Sequence, residues 1–344
     1  MPVDHVNGVE LYWEQRGSGP RLLFCNGSGT TLQAVGPLLD LVAATFDLLA
    51  WDYRGLGRSA PVTGPYTMAD LAEDAAGLLQ VAGWDSCRVL GVSFGGMVAQ
   101  EFAVTHPERV ERLALACTSA GGDGGSSYPL HKLSELPPQE RAAAQLKLAD
   151  SRWDEGWLEA HPADRALAEA LAAADRNQRD PATAAARTAQ LDARAGHDVW
   201  DRLDAITCPA LVGYGNYDEI APARNSTAIA SRIRGAELRG YEGGHLFLFQ
   251  DPVALPEYQA FLRSPSSTEV VRDPEHPLLS SSDRLAAPAN DMTRLIGFHT
   301  LETRSRPGAL RGDTNITTVN DSAGTDYPVR ADRLPAALPF SRGY

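Results

Sequence analysis

The chain has 344 residues, of which 43% are hydrophobic and 22% charged, and its formal net charge is -13. That is enough chain for one large domain with a buried core, or for two. An acidic surface repels nucleic acid and anionic lipid, so neither is expected as a partner. The N-terminus, MPVDHVNGVELYWE, lacks a basic start ahead of an apolar core and is not read as a signal peptide. The stretch LLDLVAATFDLLAW is interrupted by Asp40 and Asp47, so no membrane span is expected, and the expected location is the cytoplasm.

Up to residue 120 the chain alternates short apolar runs with helical patterns. RLLFC, FDLLAWD, RVLGVS and RLALACT are too short for helices and almost continuously apolar. They read as strands buried on both faces of a mostly parallel sheet. Helices are expected over LQAVGPLLDLVAA, over TMADLAEDAAGLLQVAG with Thr67 as N-cap, and over GGMVAQEFAVTHPERV up to Pro107. Strand and helix in alternation imply an α/β sheet with helices on both faces. Cys25, Cys87, Cys117 and Cys208 lie far apart in or beside apolar runs, without metal-ligand spacing, and read as free buried thiols.

After GGDGGSSYP the texture changes. Residues 122–200 are rich in Ala, Leu, Arg, Glu and Gln, without a clear strand, and read as a helical insertion. Its Trp153, Trp157 and Trp200 fit core packing better than substrate contact, and its basic residues fit a solvated helix face. The alternation resumes with PALVGYGNYD, ARNSTAIASRI, AELRGYEG and PVALPEYQAFL. Residues 265–344 hold eight prolines, no Trp and no Cys, and read as a low-order extension of a 1–264 domain.

Three segments carry chemistry. GVSFGG fits Gly-x-Ser-x-Gly at a strand–helix junction. A sharp turn there strains the serine and lifts its hydroxyl off the sheet, and small flanking residues let strand and helix approach. Ser93 is therefore the candidate nucleophile. A serine hydroxyl needs a base, and the base an orienting acid. Of eight histidines, His245 in EGGHLFLF follows a late strand behind two glycines; His106 and His161 have ordinary settings. Asp218 in GYGNYDEIAP is the candidate acid, with Glu219 as its rival. The order Ser93, Asp218, His245 suits such a relay. The segment FCNGSGTT is glycine-rich between a strand and a helix, yet it lacks the glycine and lysine spacings of a phosphate or dinucleotide loop.

Taken together, DYRGLGRS, GVSFGGMVAQ, GNYDEIAP and GGHLFLFQDP resemble the equivalent blocks of the α/β-hydrolase superfamily, over about residues 5–263. Within it, Asn26-Gly27-Ser28-Gly29-Thr30 and the segment after Ser93 are similar to 3-oxoadipate enol-lactonases and neighbouring esterases. That group tends to read Asn-Ser-Leu-Gly-Thr where many relatives read His-Gly. The resemblance implies a Ser93–His245–Asp218 triad acting on a small ester or lactone. It also implies an oxyanion hole of the Phe94 and Ser28 backbone amides, a cap over the active site at 122–200, and no metal or organic cofactor. Carbon–carbon bond hydrolases of this fold usually carry a His-Gly-Gly-Gly-Pro-Gly loop, absent here. Dehalogenases and epoxide hydrolases use Asp where this chain has Ser93. The alternatives beside the ester or lactone reading are a carbon–carbon bond hydrolase with the same triad, a cofactor-free haloperoxidase or perhydrolase activity, and a ligand-binding role without catalysis. Oligomeric state is not legible in the sequence.

Overall fold

Asn7 and Gly8, both with positive φ (47° and 79°), turn the chain between the first two strands, β1 (Val3–Val6) and β2 (Val9–Arg16). The pairing is antiparallel, with Val6 opposite Val9. An Asn-Gly pair between strands is the preferred two-residue hairpin turn, because both positions need positive φ. The sequence reading assigned no strand ahead of Arg21, so this hairpin is an addition to the expected sheet. The computed structural model describes residues 3–177, 181–265, 316–320 and 326–330. Contacts divide the chain into two units, Met1–Pro277 and Leu278–Tyr344.

Beyond the hairpin, the first unit runs β3 (Arg21–Cys25), α1 (Gly36–Ala43), β4 (Asp47–Trp51), α2 (Met68–Val81), β5 (Cys87–Val92), α3 (Phe94–Thr105) and β6 (Val110–Ala116). Helices α4 (Pro138–Ala149), α5 (Glu155–Ala160), α6 (Pro162–Asn177) and α7 (Pro181–Ala195) follow as an insertion. The sheet resumes with β7 (Ala210–Gly215), α8 (Ala223–Arg232), β8 (Glu237–Tyr241), the short α9 (Phe247–Gln250) and α10 (Ala254–Arg263). Helix α1 is shorter than expected: Leu32–Val35 form turns, and the helix starts at Gly36 with Pro37 in its first turn, where a missing N–H costs nothing. Helix α2 starts where expected. The Thr67 hydroxyl accepts from the Asp70 amide, and the Asp70 carboxylate accepts from the Thr67 amide.

The eight strands lie in the order β1-β2-β4-β3-β5-β6-β7-β8. The pairs from β4 to β8 are parallel, and β2 joins β4 antiparallel. Alternate strand residues face two cores. Leu23, Leu49, Val89 and Leu113 pack with α2, α3 and α8; Leu22, Phe24, Leu48 and Leu90 pack with α1 and α10. Burial on both faces is why these strands read as continuous apolar runs. All the parallel strands end at one edge of the sheet, and the loops after β3, β5, β7 and β8 meet there. Open α/β sheets place their sites at that edge.

In the second unit, β9 (Ile316–Asn320) and β10 (Asp326–Arg330) pair antiparallel. The β-branched run Ile316–Val319 suits a strand. Apart from Pro265 and this pair, the extension expected over 265–344 lies outside the described residues. Among the described residues, no helix is long and apolar enough to cross a membrane.

Candidate active site

The turn after β5 holds Ser93 at φ 56° and ψ −116°, one of three non-glycine residues with positive φ among those described. Two backbone bonds fix this conformation: the Ser93 amide donates to the Ala116 carbonyl (2.8 Å), and the Ser93 carbonyl accepts from the Thr118 hydroxyl (2.8 Å). The flanking glycines are needed for space. A Cβ on Gly91 would sit 2.7 Å from the Ala99 methyl, and one on Gly95 would collide with the Cys25 and Asn26 carbonyls. The small residues of the motif thus press strand, elbow and α3 together, and they press α3 against the loop after β3.

Three sequence-predicted residues meet over this turn. His245 Nε2 lies 2.9 Å from Ser93 Oγ, and His245 Nδ1 lies 2.8 Å from Asp218 Oδ2. Asp218 is buried, and its other oxygen accepts from the Ile220 and Ala221 amides (2.8 and 2.9 Å). Glu219 points elsewhere: it is exposed, and its amide donates to the Leu148 carbonyl (3.0 Å). The result is a half-buried hydroxyl against an imidazole whose far nitrogen is held by a carboxylate. Such a chain can move a proton off the hydroxyl as it attacks.

The loop after β3 lies beside the elbow. Asn26 is buried and staples the loop: its side-chain oxygen accepts from the Gly27 amide (2.8 Å), and its side-chain nitrogen donates to the Thr30 carbonyl (3.2 Å). The Gly29 amide donates to Gln190 Oε1 on α7 (2.7 Å). Among the described residues, no protein acceptor takes the Ser28 amide or the Phe94 amide. These are the two donors the sequence reading named.

The insertion is built into this site, which the sequence did not reveal. The end of α4 binds the loops of both partners of Ser93: the Ala149 carbonyl accepts from the His245 amide (2.6 Å), and the Ser151 amide donates to the Tyr217 carbonyl (3.0 Å). Next to it, the buried Asp150 pairs with Arg152 (2.6 Å) and accepts from Gln250 (2.8 Å), whose amide oxygen accepts from the Gly244 amide (2.8 Å). The Arg152 guanidinium also lies over the Tyr217 ring at 3.9 Å. One carboxylate thus braces the turns carrying His245 and Asp218. Asp150→Ala is expected to cost about 1–3 kcal/mol of stability, read by urea unfolding, because it removes the buried carboxylate that holds Arg152 and Gln250 and leaves the guanidinium only the exposed Glu242.

The remaining expectations are structural. Trp153 is buried with Ala149, Ala168 and Ile220, and Trp157 packs against that cluster. Trp200 packs against the main core under Arg232. The four cysteines are free, and Cys208 is half-buried where full burial was expected. Cys117 lies under the triad, its Sγ within 4.8 Å of ligand atoms of Asp218 and His245. This is the one grouping of three metal-ligating side chains among the described residues. It fits a metal poorly: Asp218 and His245 are spent on each other, and burial pushes the Cys117 thiol well up, favouring the protonated form.

Residues 20–251 match the family model described as serine aminopeptidase, S33. The chain is 27% identical over 258 residues to a putative carbamate hydrolase RutD of Azorhizobium caulinodans, covering 72% of this chain and 92% of that protein. It is 30% identical over 241 residues to a poly(3-hydroxyalkanoate) depolymerase of Ectopseudomonas oleovorans, covering 66% and 78%. Among solved structures, the enol-lactonase from Burkholderia xenovorans LB400 superposes with a TM-score of 0.60 at 25% identity, covering 75% of this chain and 97% of that one. With the sheet order and the elbow at Ser93, these matches give the family: the chain belongs to the serine aminopeptidase S33 family of the α/β-hydrolase superfamily and is a hydrolase, close to its esterase and lactonase members.

Proposed function

We propose that the protein cleaves a small carboxylic ester or lactone through an acyl-enzyme formed on Ser93. The observation that carries this reading is the unbroken chain Ser93 Oγ, His245, Asp218, at 2.9 and 2.8 Å, with the serine held at φ 56°. Ser93 Oγ attacks the acyl carbon while His245 Nε2 takes its proton. The tetrahedral intermediate collapses as the same nitrogen protonates the leaving oxygen; in a lactone that oxygen stays on the acyl chain. Water then attacks the acyl-enzyme, again deprotonated by His245, and the acid product leaves Ser93. Asp218 holds the imidazole with Nε2 toward the serine and stabilises the imidazolium. The Phe94 and Ser28 amides are the proposed oxyanion donors, and the commitment of the Gly27 and Gly29 amides to Asn26 and Gln190 supports Ser28.

A lactonase-like substrate draws further support from the enol-lactonase fold match and from Asn26, which replaces the His of many relatives with a side chain that staples the loop. The test is a fluorophosphonate probe followed by peptide mapping, beside turnover of a panel of lactones and short-chain esters. Labelling confined to Ser93, with turnover of at least one panel member, is the expected result. Labelling elsewhere removes Ser93 as the nucleophile, and a labelled Ser93 with no turnover speaks for a hydrolase fold used for binding.

A further inference from the structure

In the loop after β3, two peptide groups are gripped at both ends and the one between them is not. The Asn26–Gly27 peptide accepts at its carbonyl from the Tyr53 hydroxyl (3.1 Å), and its N–H, that of Gly27, donates to the Asn26 side-chain oxygen (2.8 Å). The Ser28–Gly29 peptide accepts at its carbonyl from the Thr30 hydroxyl (3.1 Å), and its N–H, that of Gly29, donates to Gln190 Oε1 (2.7 Å). The Gly27–Ser28 peptide lies between them, and its N–H meets no protein acceptor among the described residues. That N–H is the proposed oxyanion donor, and its direction depends on the planes on either side. The glycines do not fix those planes by crowding. Gly29 stands at φ 66°, and a Cβ on Gly27 would lie 3.9 Å from Thr30 Oγ1 and 4.0 Å from the Val92 carbonyl, in ordinary contact. Glycine turns easily about its backbone bonds, so neighbouring side chains must supply the restraint.

Tyr53, Asn26 and Thr30 belong to the sheet's own loops, whereas Gln190 comes from the insertion, 161 residues from Gly29. Helix α7 is anchored to deliver it. Ala186, Ala189 and Ala193 bury one face of the helix in the main core, and a Cβ on Gly55 would lie 2.6 Å from the Ala186 methyl. Gln190 stands one turn beyond Ala186 on that face and is itself only 2% exposed. Because Gly29 supplies the hydrogen, Oε1 must face it, and the amide nitrogen is turned elsewhere. That nitrogen is buried and has no hydrogen-bond partner among the described residues. An unpaired buried amide group is unfavourable, so stability alone would favour an apolar side chain at this position.

We infer that Gln190 is a positioning residue of the oxyanion hole: by holding the Ser28–Gly29 peptide, the insertion aims the Ser28 N–H at the oxyanion formed above Ser93. A donor fixed before the reaction needs no reorganisation as charge develops, so such a grip acts on rate and hardly on substrate binding. The inference rests on the reading of Ser93 as nucleophile and of Ser28 as donor.

The test compares the full chain with its Gln190→Met and Gln190→Leu variants. Both remove the acceptor, and Met keeps the length of the side chain. With p-nitrophenyl butanoate, kcat is expected to fall about 10–30-fold, less than the loss of a whole oxyanion donor, while KM changes by less than about twofold. Hexyl trifluoromethyl ketone gives a second readout. Ser93 Oγ adds to its carbonyl carbon, His245 takes the proton, and the ketone oxygen becomes the oxyanion of a hemiketal. Followed by fluorine NMR, the ionisation of that oxygen is expected about one pH unit higher in the variants, the counterpart of a tenfold weaker hold. The melting temperature should stay level or rise, because the unpaired buried amide is lost together with the bond. An unchanged kcat, or an unchanged hemiketal ionisation, in variants that still form the Ser93 adduct overturns the role of Gln190 and leaves the nucleophile reading intact. A fall in kcat that only accompanies a lower melting temperature, with the ionisation unmoved, makes Gln190 a structural residue and overturns it too. No adduct on Ser93 in the wild type removes the nucleophile and this inference together.

Discussion

Ser93→Ala is expected to lower kcat for ester hydrolysis by about 10⁵–10⁶-fold, the scale seen when the nucleophile of a serine triad is removed. The fold should survive. The strain at this position belongs to the backbone: alanine carries the same Cβ as serine, and the bonds holding the turn use the Ser93 amide and carbonyl. The melting temperature should therefore stay within a few degrees of wild type while activity vanishes. Residual turnover should be independent of fluorophosphonate, because what remains is substrate binding and the oxyanion donors. Cys117 lies close by, and burial raises its thiol pKa and favours the protonated form. Near wild-type activity in Ser93→Ala would mean that the elbow is only a tight turn.

The parallel half of the sheet was legible because its strands are buried on both faces, which leaves short unbroken apolar runs such as RLLFC and RVLGV. The hairpin at the N-terminus escaped notice because VELYWEQR mixes charged and apolar residues, as a strand toward the edge of a sheet does. Its signal was the turn, Asn7-Gly8, rather than the strands. Ser93 and His245 were legible because glycines mark a nucleophile turn and a loop at a strand end. Asp218 separates from Glu219 only in three dimensions, where one is buried on two backbone amides and the other faces solvent.

The insertion was read correctly as helical and incompletely as a cover. Nothing in its composition marks Asp150 as the brace of two loops that lie 68 and 95 residues further along the chain. Gln190 looks like any polar position on an exposed helix. Only the neighbour supplied by folding, the Gly29 amide, sets it apart. The same contacts join the insertion to the candidate site. Helix α7 holds the loop of the proposed oxyanion donor, and the end of α4 holds the His245 loop, so the insertion can move away only by breaking these bonds.

Asp218→Asn is expected to lower kcat by about 10⁴-fold, and Glu219→Gln to leave it within about threefold. The first figure follows from the hydrogen bonds around the carboxylate. Oδ1 accepts from two backbone amides, Ile220 and Ala221, so the oxygen of an introduced asparagine must stay on that side. Its NH₂ group is then forced toward His245 Nδ1, where Asp218 now accepts. The imidazole must present a lone pair at Nδ1 and carry its proton on Nε2, aimed at the Ser93 hydroxyl it should deprotonate. The base is lost by tautomer, with shape and packing unchanged. A loss of charge without that reversal would weaken the imidazolium but leave Nε2 as acceptor. The two effects separate by pH, since only the misplaced tautomer is bypassed when hydroxide takes over as base. Activity of Asp218→Asn should therefore climb with pH, measured with one ester from pH 6 to 10, while wild type and Glu219→Gln level off. A larger loss in Glu219→Gln would exchange the two acids and with them the assignment of the relay.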